Sequence, residues 1–430
     1  MSPQPVPHHP DFSAFLKTFA RIGLLSFGGP AAQIAVMHRE LVEDRRWFSE
    51  DGFLSALSFC MMLPGPEAMQ LATYAGWRLR GVPGGVIAGL FFTTPGALVM
   101  LALAALYAHF GHLPASEALF AGIKATVVLV VIQALFRLGK KALGTRSRWV
   151  LAALSFALIS FFATPFPLIV LGAGLYGALT AKASAQTTNA PKATHLPRTL
   201  ALWGALWAAP LIGLWLAGQE RLLAIALFFS KLAVVTFGGA YAVLAYMSQE
   251  AVQNHGWLTP EAMLDGLGLA ETTPGPLILV TEFVGYMAAT PLGVFGGILG
   301  ALVTLWVTFI PCFLWIFAGA PYIDWIATRP RLDAALKAVT AAVVGVIASL
   351  SWWFALHVLF TRVSSQSLGP LRLTLPDLNS LSLEALALVT LAAILLFVFK
   401  RGLMVTLALM ALAGLALGAV EIGTGEIGTM

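Results

Sequence analysis

The chain has 430 residues, 59% hydrophobic and only 10% charged, with mean hydropathy +0.85 and a net charge of +5. Soluble domains carry about 25% charged residues, so a soluble fold is excluded as the expectation and a polytopic helical membrane protein replaces it. No Lys/Arg stripe with interleaved aromatics points to nucleic acid, and two cysteines in apolar runs, Cys60 and Cys312, give neither a disulfide framework nor metal-ligand spacing.

The N-terminus, MSPQPVPHHPDF, lacks a positive n-region, so a cleaved signal peptide is not expected. The first apolar segment carries Lys17 and Arg21 and is broken by Phe27-Gly28-Gly29. A polar loop with Trp47-Phe48-Ser49 follows. The next apolar segment is interrupted by Pro64-Gly65-Pro66, then Glu67 and Gln70. Proline removes a backbone donor and clashes with the preceding turn, so LPGPEAMQ cannot continue a regular helix. Four more hydrophobic segments complete this half, and the polar stretch 182–198 reads as a flexible linker. The chain holds no GxxxxGK[ST] loop, which excludes ATP hydrolysis by that route.

The series then returns. Phe237-Gly238-Gly239 and Pro274-Gly275-Pro276 lie 210 residues after their counterparts, and about a third of positions 27–66 are identical at that offset. This is a tandem duplication: 1–181 and 222–430 are the two repeats, with 182–221 as a linker containing an extra apolar run at 199–217. The expected fold is all-α and polytopic, an inverted tandem repeat of about six transmembrane helices each, with interrupted helices and a linker helix. With the N-terminus inside, Arg78, Arg80, Arg137, Lys140, Lys141, Arg146, Arg148, Arg329, Arg331, Lys400 and Arg401 fall inside, as the positive-inside rule requires. Arg39, Arg45, Arg46, Arg221, Arg362 and Arg372 then fall outside. A rival count makes the PGP segment a re-entrant hairpin. It brings Arg39, Arg45 and Arg46 inside but loses the inversion unless 199–217 fails to cross.

Non-helical backbone at membrane depth is tolerated only where it is buried in protein or lines a wet cavity. Transporters place such breaks at their binding sites, where half-helix N-termini attract anions. The expected substrate site is therefore the duplicated break: Phe27, Gly28, Gly29, Pro64, Gly65, Pro66 and Gln70 with Phe237, Gly238, Gly239, Pro274, Gly275 and Pro276. A single proline kink is the bland alternative, weakened here by duplication. Arg21 and Lys231 occupy matching positions and supply positive charge, because an intramembrane cation needs a partner or a function. Lys17, one turn earlier, is expected to snorkel, and snorkelling is the competing role for Arg21 as well, though less so for Lys231. Glu67, Glu271, Lys124 and Lys337 are coupling candidates. Asp265 and Glu282 lie near the second break; for all four acids, Glu67 and Glu271 included, capping or local pairing is the competing role. No catalytic residue, metal or cofactor is expected.

FGGPAAQIAVMHRE, RRWFSEDGF and LPGPEAMQLATYAGW, with GWLTPEAMLDGLGLAETTPGPLILVTEFVGY in the second copy, resemble the signature of the chromate ion transporter (CHR) family in its long-chain, two-domain form. The resemblance covers most of both halves. It implies a bacterial inner-membrane carrier that exports chromate, confers chromate resistance and interacts with sulfate, with antiparallel halves. The partners implied are a chromate- or sulfate-like oxyanion and the lipid bilayer, with no nucleic acid; a homodimer is compatible. Two readings compete with chromate export. One is transport of sulfate or another tetrahedral oxyanion. The other is a membrane-embedded chromate reductase, which lacks a redox motif here. The second copy departs at Ala240 for Pro30 and at Leu277 for Glu67.

Overall fold

A computed structural model describes residues 10–181, 195–237, 240–323, 329–369 and 371–424. The first half contains α1 (Phe12–Leu25), α2 (Gly29–His38), α3 (Glu50–Cys60), α4 (Glu67–Phe110), α5 (Pro114–Ala142), α6 (Arg146–Phe162) and α7 (Phe166–Thr180). Helix α8 (Leu196–Leu216) follows. The second half contains α9 (Glu220–Val235), α10 (Ala240–Ser248), α11 (Pro260–Thr272), α12 (Val280–Ala289), α13 (Gly293–Gly319), α14 (Pro330–Leu359), α15 (Leu383–Ala393) and α16 (Leu403–Thr424). Among the described residues six helices are long and apolar enough to cross a bilayer, and two shorter apolar ones join them.

The duplication is visible in backbone detail. Helices α2 and α10 each end in a widened turn, Arg39–Asp44 and Gln249–Asn254, at the 210-residue offset. Each turn is followed by a left-handed residue, Arg46 (φ 52°) and Gly256 (φ 58°). One element was not expected: a β-hairpin, β1 (Val363–Leu368) antiparallel to β2 (Leu371–Pro376), turns at Gly369 between α14 and α15. The alternating side chains of that stretch and its Gly-Pro dipeptide are the sequence signal for it.

The chain forms two compact units, each drawing on both halves. The first holds Met1–Ala102, Gly174–Val243 and Thr273–Val339; the second holds Leu103–Ala173, Leu244–Thr272 and Thr340–Met430. In the second unit α5 packs on α15 and α16, with Gly122 against the Met410 backbone.

In the first unit, α4 is a hairpin. Its backbone leaves helical geometry at Arg80 and Gly81 (φ 64°), which splits it into a short arm (67–79) and a long arm (82–110). The arms run back to back, because a Cβ on Gly76 would overlap the Gly84 carbonyl and one on Gly84 the Gly76 carbonyl. Helices α12 and α13 repeat this hairpin about Gly293 (φ 81°), with Gly285 against Thr304 and Gly300 against Ala289. Small residues at these contacts let two helix backbones approach closely.

Both broken segments reverse direction, and the long helices record it. A Cβ on Gly65 would lie 3.0 Å from Cys312 Sγ, whereas Phe59, before the break, reaches Gly319. After the break Gly89, which packs on Thr73, meets Phe313, and Gly85 meets Phe317. The chain therefore descends along α13 into PGP and climbs back toward the same end. The FGG break behaves alike. Helix α1 starts beside Arg80, whose guanidinium lies over Phe12 and Phe15, and descends to pack Gly23 on Phe91. A straight continuation would separate Arg21 from Glu40 by about 28 Å of helical rise. Instead they form an ion pair at 3.1 Å, so α2 turns back toward the start of α1. Consecutive left-handed glycines, Gly28 (φ 82°) and Gly29 (φ 80°), make that reversal. Of the two readings of the PGP segments, the structure supports the re-entrant one, and it extends this to FGG.

Candidate anion-binding site

The reversals of the two halves bond to each other within the first unit. The Gly65 N–H donates to the Thr236 carbonyl (2.9 Å), and the Gly275 N–H donates to the Ser26 carbonyl (2.7 Å). Residues 26 and 236, like 65 and 275, are 210 apart, so each PGP turn grips the FGG turn of the other half. The two bonds exchange under the repeat, which is the signature of a local two-fold relation. The hydroxyls of Ser26 and Thr236 bond back to Ile22 and Leu232 and satisfy carbonyls at the ends of α1 and α9.

Both crossings lie at one level. Gly89 against Phe313 sets the register of the long arm of α4 against α13. Phe92, which faces Gly275, and Cys312, which faces Gly65, are then within about one helical turn (about 5 Å) of each other in depth. Side-chain amides brace the turns: Gln70 Nε2 donates to the Pro64 carbonyl (2.7 Å), and Gln33 Nε2 donates to the Gly275 carbonyl (2.6 Å). Two half-helices begin here, the short arm of α4 at Glu67 and α2 at Gly29, and their unbonded first amides point a positive potential at this level. A single helical turn at Leu277–Leu279 follows the second PGP.

The structure brings Phe27, Gly28, Gly29, Pro64, Gly65, Pro66, Gln70, Phe237, Pro274, Gly275 and Pro276 into this crossing. Gly238 and Gly239 lie outside the described residues. Arg21 is one turn before its break; its side chain is 58% exposed, and its partner Glu40 is 1% exposed. Lys231 sits at the matching place on α9, also exposed. Glu67 is the first residue of the short arm, where a carboxylate caps the positive helix end. Glu271 is buried in the last turn of α11.

The two matched lysines diverge. Lys337 makes a surface pair with Asp333, one turn earlier (2.6 Å). In the second unit Lys124 approaches buried Asp265 at 3.7 Å, and Asp265 accepts from Tyr107 (2.9 Å). Lys124 also lines a cavity of about 200 Å³ with Glu261, His357 and Glu384. Among the described residues no group of His, Cys, Asp and Glu is placed to hold a metal.

A family model described as "Chromate transporter" matches residues 13–178 and again residues 223–417. The chain belongs to the chromate transporter family. It is 36% identical over 371 residues to the chromate transport protein of Pseudomonas aeruginosa, covering 85% of each chain. It is 32% identical to the probable chromate transport protein of Synechococcus elongatus over 79% of this chain and 84% of that one. The chromate transport protein of Cupriavidus metallidurans is 30% identical over 76% and 79%. No solved structure is detectably similar. With its apolar helices, this family member is a multi-pass membrane protein. The duplicated crossing falls inside both matched segments.

Proposed function

We propose that this chain is a secondary carrier that moves chromate out of the cell and binds it at the crossing of the two FGG and two PGP turns. The observation that carries the reading is the pair of exchanging hydrogen bonds, Gly65 to Thr236 and Gly275 to Ser26. Together they fix four backbone reversals at one depth, where helix N-termini favour a tetrahedral dianion. Radiolabelled chromate accumulating in everted membrane vesicles tests the reading. Accumulation that excess sulfate abolishes entirely would shift the substrate to sulfate. Consumption of chromate without accumulation would point to reduction.

In this reading the four broken segments are re-entrant hairpins. Each half then crosses the bilayer four times, and α8 as a ninth crossing inverts the second half. The N-terminus is inside and the C-terminus outside. The charges support this arrangement: Arg39, Arg45 and Arg46 join the other basic loops on the inside, and Arg221, Arg362 and Arg372 alone stay outside among the loop residues weighed. Reporter fusions at residues 145 and 400 should both report the cytoplasm. Asp51→Cys decides between the two counts, and the native Cys60 and Cys312 are buried, which keeps background low. An impermeant maleimide should label Asp51→Cys in everted vesicles and spare it in intact cells. Labelling in intact cells would restore the single interrupted crossing.

A further inference from the structure

We propose that Glu282 is a proton site, and that chromate and a proton cross together because the dianion site fills only when this carboxyl is protonated. The inference rests on the chromate reading of the crossing and names its coupling ion. Glu282 is fully buried on α12, and neither carboxylate oxygen has a hydrogen-bond partner. Two hydroxyls on the facing helix share that condition, Thr304 and Thr308 of α13. The hairpin register puts these groups at one level. Ala289 lies against Gly300 and Gly285 against Thr304, so the next step of four residues along both antiparallel helices sets Thr281 opposite Thr308, with Glu282 the next residue along α12.

The repeat gives Glu282 a symmetry mate. Counted back from the hairpin glycines Gly81 and Gly293, Gln70 and Glu282 hold the same place, each eleven residues earlier. Gln70 uses its amide N–H to hold the Pro64 carbonyl of the first PGP turn. An ionised glutamate at the matching place has no proton to donate to the second turn; a protonated one does. Protonation thus makes Glu282 the isostere of its own symmetry mate.

The charged surroundings favour this exchange. Helix α13 carries no charged residue, and its nearest titratable side chain, Cys312, donates to the Thr308 carbonyl. Helix α9 carries Glu220, Arg221 and Lys231; Arg221 is engaged with the Ala288 carbonyl, and Lys231 lies on an exposed face. The single-turn segments flanking α12 carry no charge. A buried carboxylate without a partner is costly and neutralises by taking up a proton. A dianion nearby raises that tendency, since like charges disfavour ionisation. Chromate and proton binding therefore reinforce each other, which is the linkage of co-transport, not of exchange. The pair carries a net charge of minus one, so an inside-negative potential still drives it outward.

The test uses the full chain in proteoliposomes, with radiolabelled chromate and a trapped pH dye. Wild type should show chromate counterflow, and an inward proton gradient should speed chromate entry several-fold while the lumen acidifies with it. Glu282→Gln should retain counterflow yet lose both the acceleration and the chromate-linked acidification. Because both proteins meet the same chromate speciation, the difference reports the side chain. If Glu282→Gln is not recovered folded, Thr308→Val should displace the pH profile of counterflow. Absence of counterflow in wild type would defeat the chromate reading itself. Counterflow with proton movement opposite to chromate, or gradient-driven entry intact in Glu282→Gln or an unshifted profile in Thr308→Val, would overturn the coupling proposal alone.

Discussion

Alanine at Gly65 or at Gly275 should reduce chromate transport at least tenfold, while alanine at Gly81 should leave most of it. All three glycines have positive φ, 119°, 87° and 64°, so each substitution carries left-handed strain of about 1–2 kcal/mol. They differ in what the new methyl meets. At Gly81 nothing lies within 4 Å. At Gly65 the Cβ falls 2.9 Å from Gln70 Nε2 and 3.0 Å from Cys312 Sγ; at Gly275 it falls 3.1 Å from the Phe92 carbonyl oxygen. Overpacking of this kind costs about 1–3 kcal/mol and moves backbone. Here the backbone that moves carries the bonds to Thr236 and Ser26. Transport in everted vesicles, normalised to folded protein, checks the ranking. Equal loss at all three positions would show that strain alone, not the crossing, is being measured.

Replacing Arg21 should have the second large effect, through two separable causes. Glu40 is almost wholly buried, and Arg21 is its ion-pair partner. Arg21→Gln strands that carboxylate, a loss on the order of 3 kcal/mol, so the melting temperature should fall. The double variant Arg21→Gln, Glu40→Gln removes both charges and should recover the melting temperature. Its chromate transport should stay low, because the positive charge near the break is still missing. Transport that returns together with stability would reduce Arg21 to the partner of Glu40. Lys231→Gln should lower transport as well, as the matching charge of the second half.

Much of this layout is legible in the sequence, and particular residues show where legibility stops. The FGG and PGP breaks, their 210-residue spacing and the linker helix follow from proline and glycine chemistry and from identity between the halves. The direction of the chain after each break does not. Gly28 and Gly29 permit either a bend or a reversal, and only the Arg21–Glu40 pair and the packing of Phe59 on Gly319 decide it. The charges of Arg39, Arg45 and Arg46 carried the same message, which had force only once both breaks, not PGP alone, were allowed to reverse. Glu282 was obscured by register. Counting from PGP pairs Glu67 with Leu277, whereas counting from the hairpin glycines pairs Gln70 with Glu282, because the second copy holds two extra residues between them. Lys124 and Lys337 match in sequence, yet one approaches buried Asp265 and the other makes a surface pair.

Chromate binding to the purified protein, compared among wild type, Pro66→Ala and Pro276→Ala, tests the shared crossing most directly. Each alanine restores a backbone donor and removes the ring that stops the helix, so helix should grow back through the turn and withdraw its amides from the site. Because each PGP turn grips the FGG turn of the other half, both variants should weaken binding by tenfold or more despite lying in different repeats. Unchanged affinity in both, with folded protein confirmed by melting, would reduce the two PGP turns to bends in helices and place the chromate site elsewhere.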